Sequence, residues 1–285
     1  MKYLKKIMEI IAICMIAYIL IFNGITGNIQ INSEDIIVIA IIIVVFLAIH
    51  LLRMFRLYIL LVEEKMPIKE FIKLYMKTTI VNTVIPFKLG EFYKMICYGK
   101  KLKSYSAGIS LVWIDRFFDS VILIILVIVA SAFKMISPIY VILSLFILFS
   151  ILIYLTFENT YKYFNLLVLE KGKSKRSKIY LEIIDETKKI YKKAKNMIKY
   201  RSVPVIFLSA LIWVFEYLIA YLTIEQLFNM DFSLSIFTNY INDVFIIFNT
   251  KYVNIAEFNI GIMLIVFAVI YIVIRCRERK NKNEQ

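Results

Sequence analysis

Long apolar runs, separated by short polar or basic stretches, set the plan of this chain. Residues 7–23, IMEIIAICMIAYILIFN, are apolar over a length that crosses a hydrocarbon core of about 30 Å. A loop carrying Glu34 and Asp35 but no Lys or Arg follows, and then a second run, IIVIAIIIVVFLAIHLL, at 36–52. Further runs lie at about 105–130, 138–157, 203–222 and 255–274. From Arg53 the pattern changes. Arg53, Arg56, Lys65, Lys69, Lys73 and Lys77 punctuate residues 53–77, with Phe71, Leu74 and Tyr75 on one side and Lys69, Lys73 and Lys77 on the other. That spacing predicts an interfacial helix or pair of helices. A basic insert fills 158–202: KGKSKRSK (171–178) reads as a flexible loop. The stretch after it sets Ile183, Ile190, Ala194 and Met197 roughly on one face, with lysines opposite, which predicts an amphipathic helix lying on a leaflet.

Charge placement fixes the expected topology. Lys and Arg gather on the cytoplasmic side of membrane proteins. The N-terminus, 53–104, 158–202 and the tail RCRERKNKNEQ are basic, whereas loops 24–35 and 223–235 lack Lys and Arg. Six full spans satisfy this, provided that roughly 78–98 and 236–254 dip in and return as re-entrant half-helices. The expected fold is therefore all-α and polytopic, a single integral membrane domain over 1–285 with both termini cytoplasmic. No small-residue cleavage site follows the first run, so it is read as a retained span rather than a signal peptide. The expected location is the cytoplasmic membrane.

Composition agrees and excludes several classes. The chain is 61 % apolar with a mean hydropathy of +0.78, against about half apolar for soluble proteins. A net charge of +14 in a soluble protein would suggest nucleic acid; here the inner-surface bias accounts for it, and anionic headgroups are the partner it attracts. Cys14, Cys97 and Cys276 are scattered, and His50 sits alone on an apolar stretch, so neither a disulfide framework nor a metal site is expected. His50 reads as a buried or interfacial imidazole. No cofactor motif, nucleotide-binding glycine loop or paired-acid metal motif stands out.

The segment NTVIPFKLGEFYKM (82–95) breaks the apolar pattern. Pro86 removes a donor and disfavours helix at Ile85, while Gly90 permits a close approach. A broken helix at membrane depth must be covered by protein or line a wet cavity. Lys88 and Glu91 would then lie inside the bilayer, where ionisable groups cost several kcal/mol unless paired and are functional candidates by default. The next span adds Asp115, Arg116 and Asp119. Arg116 and Asp119 share a helix face that could meet Glu91 and Lys88 across a polar cavity. Two readings stand side by side: a substrate pathway and an internal salt bridge. Glu216, in WVFEYL, is another intramembrane acid with the same two readings.

These residues also carry a resemblance. Asn82, Pro86, Lys88, Gly90, Glu91 and Lys94 resemble the signature of the lysylphosphatidylglycerol synthetase transmembrane region, the flippase-like domain family. Ser106 and the stretch from Trp113 to Asp119 resemble the family's next motif, with Asp115 where Glu is commoner, and LLRMFRLYILL resembles the segment that leads into it. The likeness is specific over about 50–120. A late proline- and glycine-containing acidic motif has no counterpart in FTNYINDVFIIFNTKYVNIAEFNIG, despite Asn242, Asp243, Asn249, Asn254 and Glu257.

The resemblance implies a translocase for an anionic or aminoacylated phospholipid or a polyprenyl-linked envelope precursor. Lys88, Lys94 and Arg116 would bind phosphate and Glu91 would gate, with no catalytic residue and no cofactor. Arg suits phosphate through its planar fork, and Lys as a point charge. Two alternatives remain. One is an accessory subunit whose helix at 171–200 docks a partner enzyme of an envelope pathway. The other is a lipid-modifying transferase using Glu91 or Asp119 as base. Aminoacyl transfer itself needs a soluble catalytic domain for which 158–202 is too small.

Overall fold

The computed structural model describes residues 33–84, 89–131, 138–171, 175–233, 236–237, 240, 258–267 and 269–270. The expected first span, Cys14, Pro86, Lys88, most of the second re-entrant segment and the basic tail lie outside them. Described regular structure is helical: α1 (Ser33–Leu60), a 3-10 turn (Val62–Glu64), α2 (Ile68–Val84), α3 (Gly90–Lys101), α4 (Tyr105–Ser131), α5 (Pro138–Lys171), α6 (Lys175–Ile198) and α7 (Ser202–Tyr221). A π-turn (Leu222–Leu227) extends α7, and α8 (Phe258–Phe267) follows. Three stretches are long and apolar enough to cross a bilayer: Asp35–Leu60, Val141–Glu170 and Ser202–Leu227. In α4, Asp115, Arg116 and Asp119 interrupt the apolar run.

Three local expectations need correction. The second apolar run does not end its helix at 52; α1 runs on to Leu60, so Arg53–Leu60 continues that helix rather than beginning a separate one. No strong helix breaker occurs there, and Leu57 and Leu60 are buried. The interfacial segment and the first half-helix are one element, α2, which runs unbroken until just before Ile85–Pro86, where the ring forbids continuation. The run expected at 138–157 continues as α5 to Lys171, about 51 Å at 1.5 Å per residue. Pro138 is well placed to open that helix, because its missing N–H would be unpaired there anyway.

The chain groups into two compact units whose boundaries fall inside α1, α2, α3 and α7. Unit 1 comprises Met1–Leu52, Ile72–Tyr93 and Val214–Gln285; unit 2 comprises Arg53–Phe71 and Lys94–Trp213.

In unit 1, His50 is buried with its Nδ1 3.0 Å from the Tyr75 hydroxyl, between the rings of Phe46 and Phe267. That is the structural imidazole expected of a lone histidine on an apolar helix. Near the π-turn, Asn259 donates to the Tyr240 hydroxyl (3.1 Å) and accepts from Thr223 (3.2 Å), which satisfies polar groups buried among apolar ones.

Unit 2 is built on α4, α5 and α6, which pack on one another. The Ser104 hydroxyl accepts from the Ala107 N–H and caps α4. Gly99 and Gly108 let α3 and α4 approach closely: a Cβ on Gly108 would lie 2.6 Å from the Gly99 nitrogen. Helix α6 folds back along α5. Tyr191 stacks on Phe157 with centroids 4.4 Å apart, and the Ser110 hydroxyl donates to the Ile190 carbonyl at 2.8 Å. Lys193 pairs with Glu64 (2.5 Å), Arg201 with Glu63 (2.7 Å) and Lys195 with Glu158 (2.9 Å). The hydrogen bond that Lys195 donates to the Glu158 carboxylate raises the Lys195 pKa above the ordinary lysine value. The expected face of α6 divides: Met197 is buried at 3 % exposure and Ile183 is 57 % exposed, and the inward side rests on α4 and α5.

Candidate functional site

Four helices bring five charged side chains and a serine together in unit 2: Arg56 from α1, Lys94 from α3, Asp115, Arg116 and Asp119 from α4, and Ser209 from α7. Asp115 and Asp119 are four apart and so lie one above the other on α4. Their depth follows from the helical rise of about 1.5 Å. Asp115 lies ~15 Å and Asp119 ~21 Å from the start of α4, and Ser209 ~10 Å from the start of α7.

Arg56 is the hub. Its guanidinium donates to Asp115 Oδ1 (2.5 Å), to Asp119 Oδ1 (2.5 Å) and Oδ2 (3.2 Å), and to Ser209 Oγ (2.7 Å). The serine hydroxyl in turn donates to the Val205 carbonyl at 2.8 Å. Lys94 donates to Asp115 Oδ2 at 2.8 Å. Arg116 reaches Asp115 Oδ2 at 3.0 Å and Asp119 Oδ2 at 3.3 Å. Arg56 and Asp115 are 1 % exposed, whereas the Arg116 side chain is 31 % exposed and forms the accessible edge. Among the contacts of the described residues, Arg56, Lys94 and Arg116 face the carboxylates of Asp115 and Asp119. Each carboxylate oxygen accepts at least one bond, which offsets much of the desolvation that burial costs.

Unit 1 holds the other half of the motif. The side-chain amide of Asn82 donates to Glu91 Oε1 at 2.9 Å, across the segment that contains Pro86. Gly90 makes the crossing possible, because a Cβ there would lie 2.7 Å from Asn82 Oδ1 and still closer to its Cα. Asn, Gly and Glu thus form one local contact, with the two glycine-side positions closing α2 against α3.

The sequence expectations divide accordingly. Arg116 and Asp119 form the predicted i, i+3 pair. Lys94 is engaged with Asp115, which Arg56 and Arg116 also contact. Glu91 partners Asn82 in unit 1, and Glu216, also in unit 1, is half-buried. Arg56 and Ser209 were missed as site residues. The signal for Arg56 was an arginine flanked on both sides by apolar residues in LLRMFRLYILL, the mark of an intramembrane charge rather than of a solvated face. Ser209 has no signal of its own, since its role depends on which helix it meets.

A family profile described as "Lysylphosphatidylglycerol synthase TM region" matches residues 11–238. Comparison with curated proteins and with solved structures returns no match.

Proposed function

We propose that this chain, which belongs to the lysylphosphatidylglycerol synthase TM region family, is a lipid translocase whose headgroup site is the charge cluster of unit 2. It is an integral membrane protein, and its family is tied by its description to the membrane region of a lipid-modifying synthase. The observation that carries the reading is a buried set of charges with one accessible edge. Arg116, whose side chain is 31 % exposed while Arg56 and Asp115 are 1 % exposed, is the cation at that edge. The guanidinium fork of Arg116 suits a phosphate, while Asp115 and Asp119 hold it in place. Lys94 is spent on Asp115 and tunes the hub rather than meeting the headgroup first. The pair α2–α3, joined through the segment that contains Pro86, is the re-entrant element in this reading, and the Asn82–Glu91 contact is its latch. The lysine-rich end faces the cytoplasm, so the headgroup enters from that leaflet while the acyl chains stay in the bilayer.

The test is mass spectrometry of lipids retained on gently purified protein, comparing wild type with Arg116→Ala and Glu91→Gln, followed by a flip assay in vesicles. One anionic or polyprenyl-phosphate lipid should be enriched over bulk and lost from Arg116→Ala. Glu91→Gln should keep the lipid but alter its movement. If all three proteins carry only bulk lipid, the cluster is a structural brace and the translocase reading falls.

A further inference from the structure

We infer that the outer end of the hairpin formed by α5 and α6 docks a partner protein through an acid-flanked amphipathic helix of that partner, whether or not the chain translocates lipid. Residues 138–157 of α5 carry no charged side chain, and at 1.5 Å per residue they are about 30 Å long, the thickness of a hydrocarbon core. The charged residues of α5, Glu158, Lys162, Glu170 and Lys171, all follow them, so about 21 Å of the same unbroken helix runs on beyond the core. Helix α6 runs antiparallel beside that length: Tyr191 stacks on Phe157, and Asp185 and Lys188 both meet Tyr161.

Ile179, Ile183, Ile190 and Met197 recur at spacings of four and seven, which sets them on one face of α6. Cover along that face is uneven. Met197 is buried, and the Ser110 hydroxyl of α4 bonds to the Ile190 carbonyl. Ile183 and Ile179 are 57 % and 52 % exposed. They lie about 12 and 18 Å along α6 from Tyr191, in the direction that leads away from the uncharged part of α5. Tyr180 beside them is exposed, and so are Tyr163, Leu166 and Leu169 on the protruding length of α5. Large apolar side chains gathered in this way on a part that stands in water mark an interaction surface. A leaflet is a poor cover for them, because both helices carry them away from the bilayer.

Charge selects the occupant. Residues 158–202 hold thirteen Lys and Arg against five Asp and Glu, and the stretch 171–178, where α5 gives way to α6, holds five basic residues and no acid. A two-fold pair of copies would set this surface against itself, positive against positive. A partner rich in Asp and Glu is drawn to it instead, and its charges fix its register on the hairpin. The bare stripe suits a helix, whose own apolar anchors at i, i+3 and i+4 lie along Ile179 and Ile183 and continue the face that α4 covers further along α6.

The test places the photo-crosslinking residue benzoylphenylalanine at Ile183 of the full chain in its native membrane, and at Leu145, exposed on the uncharged part of α5, as the lipid control. Irradiation should join position 145 to lipid and position 183 to a protein, with the joined peptide read by mass spectrometry as an amphipathic helix flanked by Asp and Glu. Replacing the five basic residues of 171–178 with Gln should cut that adduct by about 10-fold or more. A synthetic peptide copying the joined segment should bind the purified wild-type chain, and the double variant Ile179→Ser, Ile183→Ser should weaken it by about 10-fold while the thermal midpoint is held, since both side chains are exposed. A lipid adduct at 183 would assign the stripe to a leaflet, and an adduct of two copies would assign it to self-association; either overturns the inference. So does the absence of any adduct, a joined segment without acidic flanks, a yield untouched by loss of the basic residues, or a peptide that binds the double variant as it binds wild type.

Discussion

Replacing Arg56 with methionine tests whether the cluster is bound together as described. Methionine keeps much of the apolar stem and removes the guanidinium. Four hydrogen bonds disappear: one to Asp115, two to Asp119 and one to Ser209. Asp115 retains Lys94 and Arg116, but Asp119 retains only the 3.3 Å contact to Arg116 among the contacts described above. Breaking a buried ion pair by removing one partner costs about 3–5 kcal/mol, because a desolvated charge stays behind. For a chain of this size that corresponds to a fall in apparent thermal midpoint on the order of 10 °C. The assay is thermal unfolding followed by fluorescence-detected size-exclusion chromatography. The second arm is the triple variant Arg56→Met, Asp115→Asn, Asp119→Asn, which removes the stranded charges together with their partner. It should recover at least half of the lost stability, since the penalty lies in unpaired charge rather than in lost bonds. If the single variant loses less than about 1 kcal/mol, or the triple variant is no more stable than the single, then buried charge pairing does not hold these helices together.

Arg116→Gln should shift the same midpoint by no more than about 1 kcal/mol equivalent, because its partly exposed side chain is screened by solvent, yet it should abolish lipid retention. Gly90→Ala should cost about 1–3 kcal/mol through its collision with Asn82, read as a lower midpoint and as new protease cleavage near the break. Asn82→Ala should cost about 1–3 kcal/mol by withdrawing the donor from buried Glu91, and Asn82→Asp should cost more; a neutral result for both would remove the latch. On α6, Met197→Lys should destabilise by more than about 3 kcal/mol whereas Ile183→Lys should be neutral within about 0.5 kcal/mol. The opposite order would restore the leaflet-lying helix.

The membrane class and the end of α2 at Val84, just before Pro86 in the sequence, were legible because each rests on local chemistry. Apolar runs have nowhere to go but lipid, and a proline ring stops a helix wherever it occurs. The pairing of Arg116 with Asp119 was legible for the same reason, since three residues apart on a helix are neighbours in any fold. The end of α1 was misplaced because Arg53 and Arg56 look like an interfacial boundary when only composition is counted. Arg56 stays inside because Asp115 and Asp119 neutralise it from a helix some sixty residues away. Likewise, α6 was laid on a leaflet because its moment is that of a surface helix. What covers an apolar face is a question of partner, and α4 and α5 supply it here.

The sequence by itself determined that the chain is a helical membrane protein of this family, with ionisable residues set within apolar stretches. Only the tertiary structure decided which of them meet. Arg56 and Ser209 joined the site, Asp115 moved to its centre, and Glu91 was assigned to Asn82. The physical reason is that helical periodicity fixes neighbours only within a few turns. A charge balance summed over four helices depends on how those helices pack, and no local pattern encodes it.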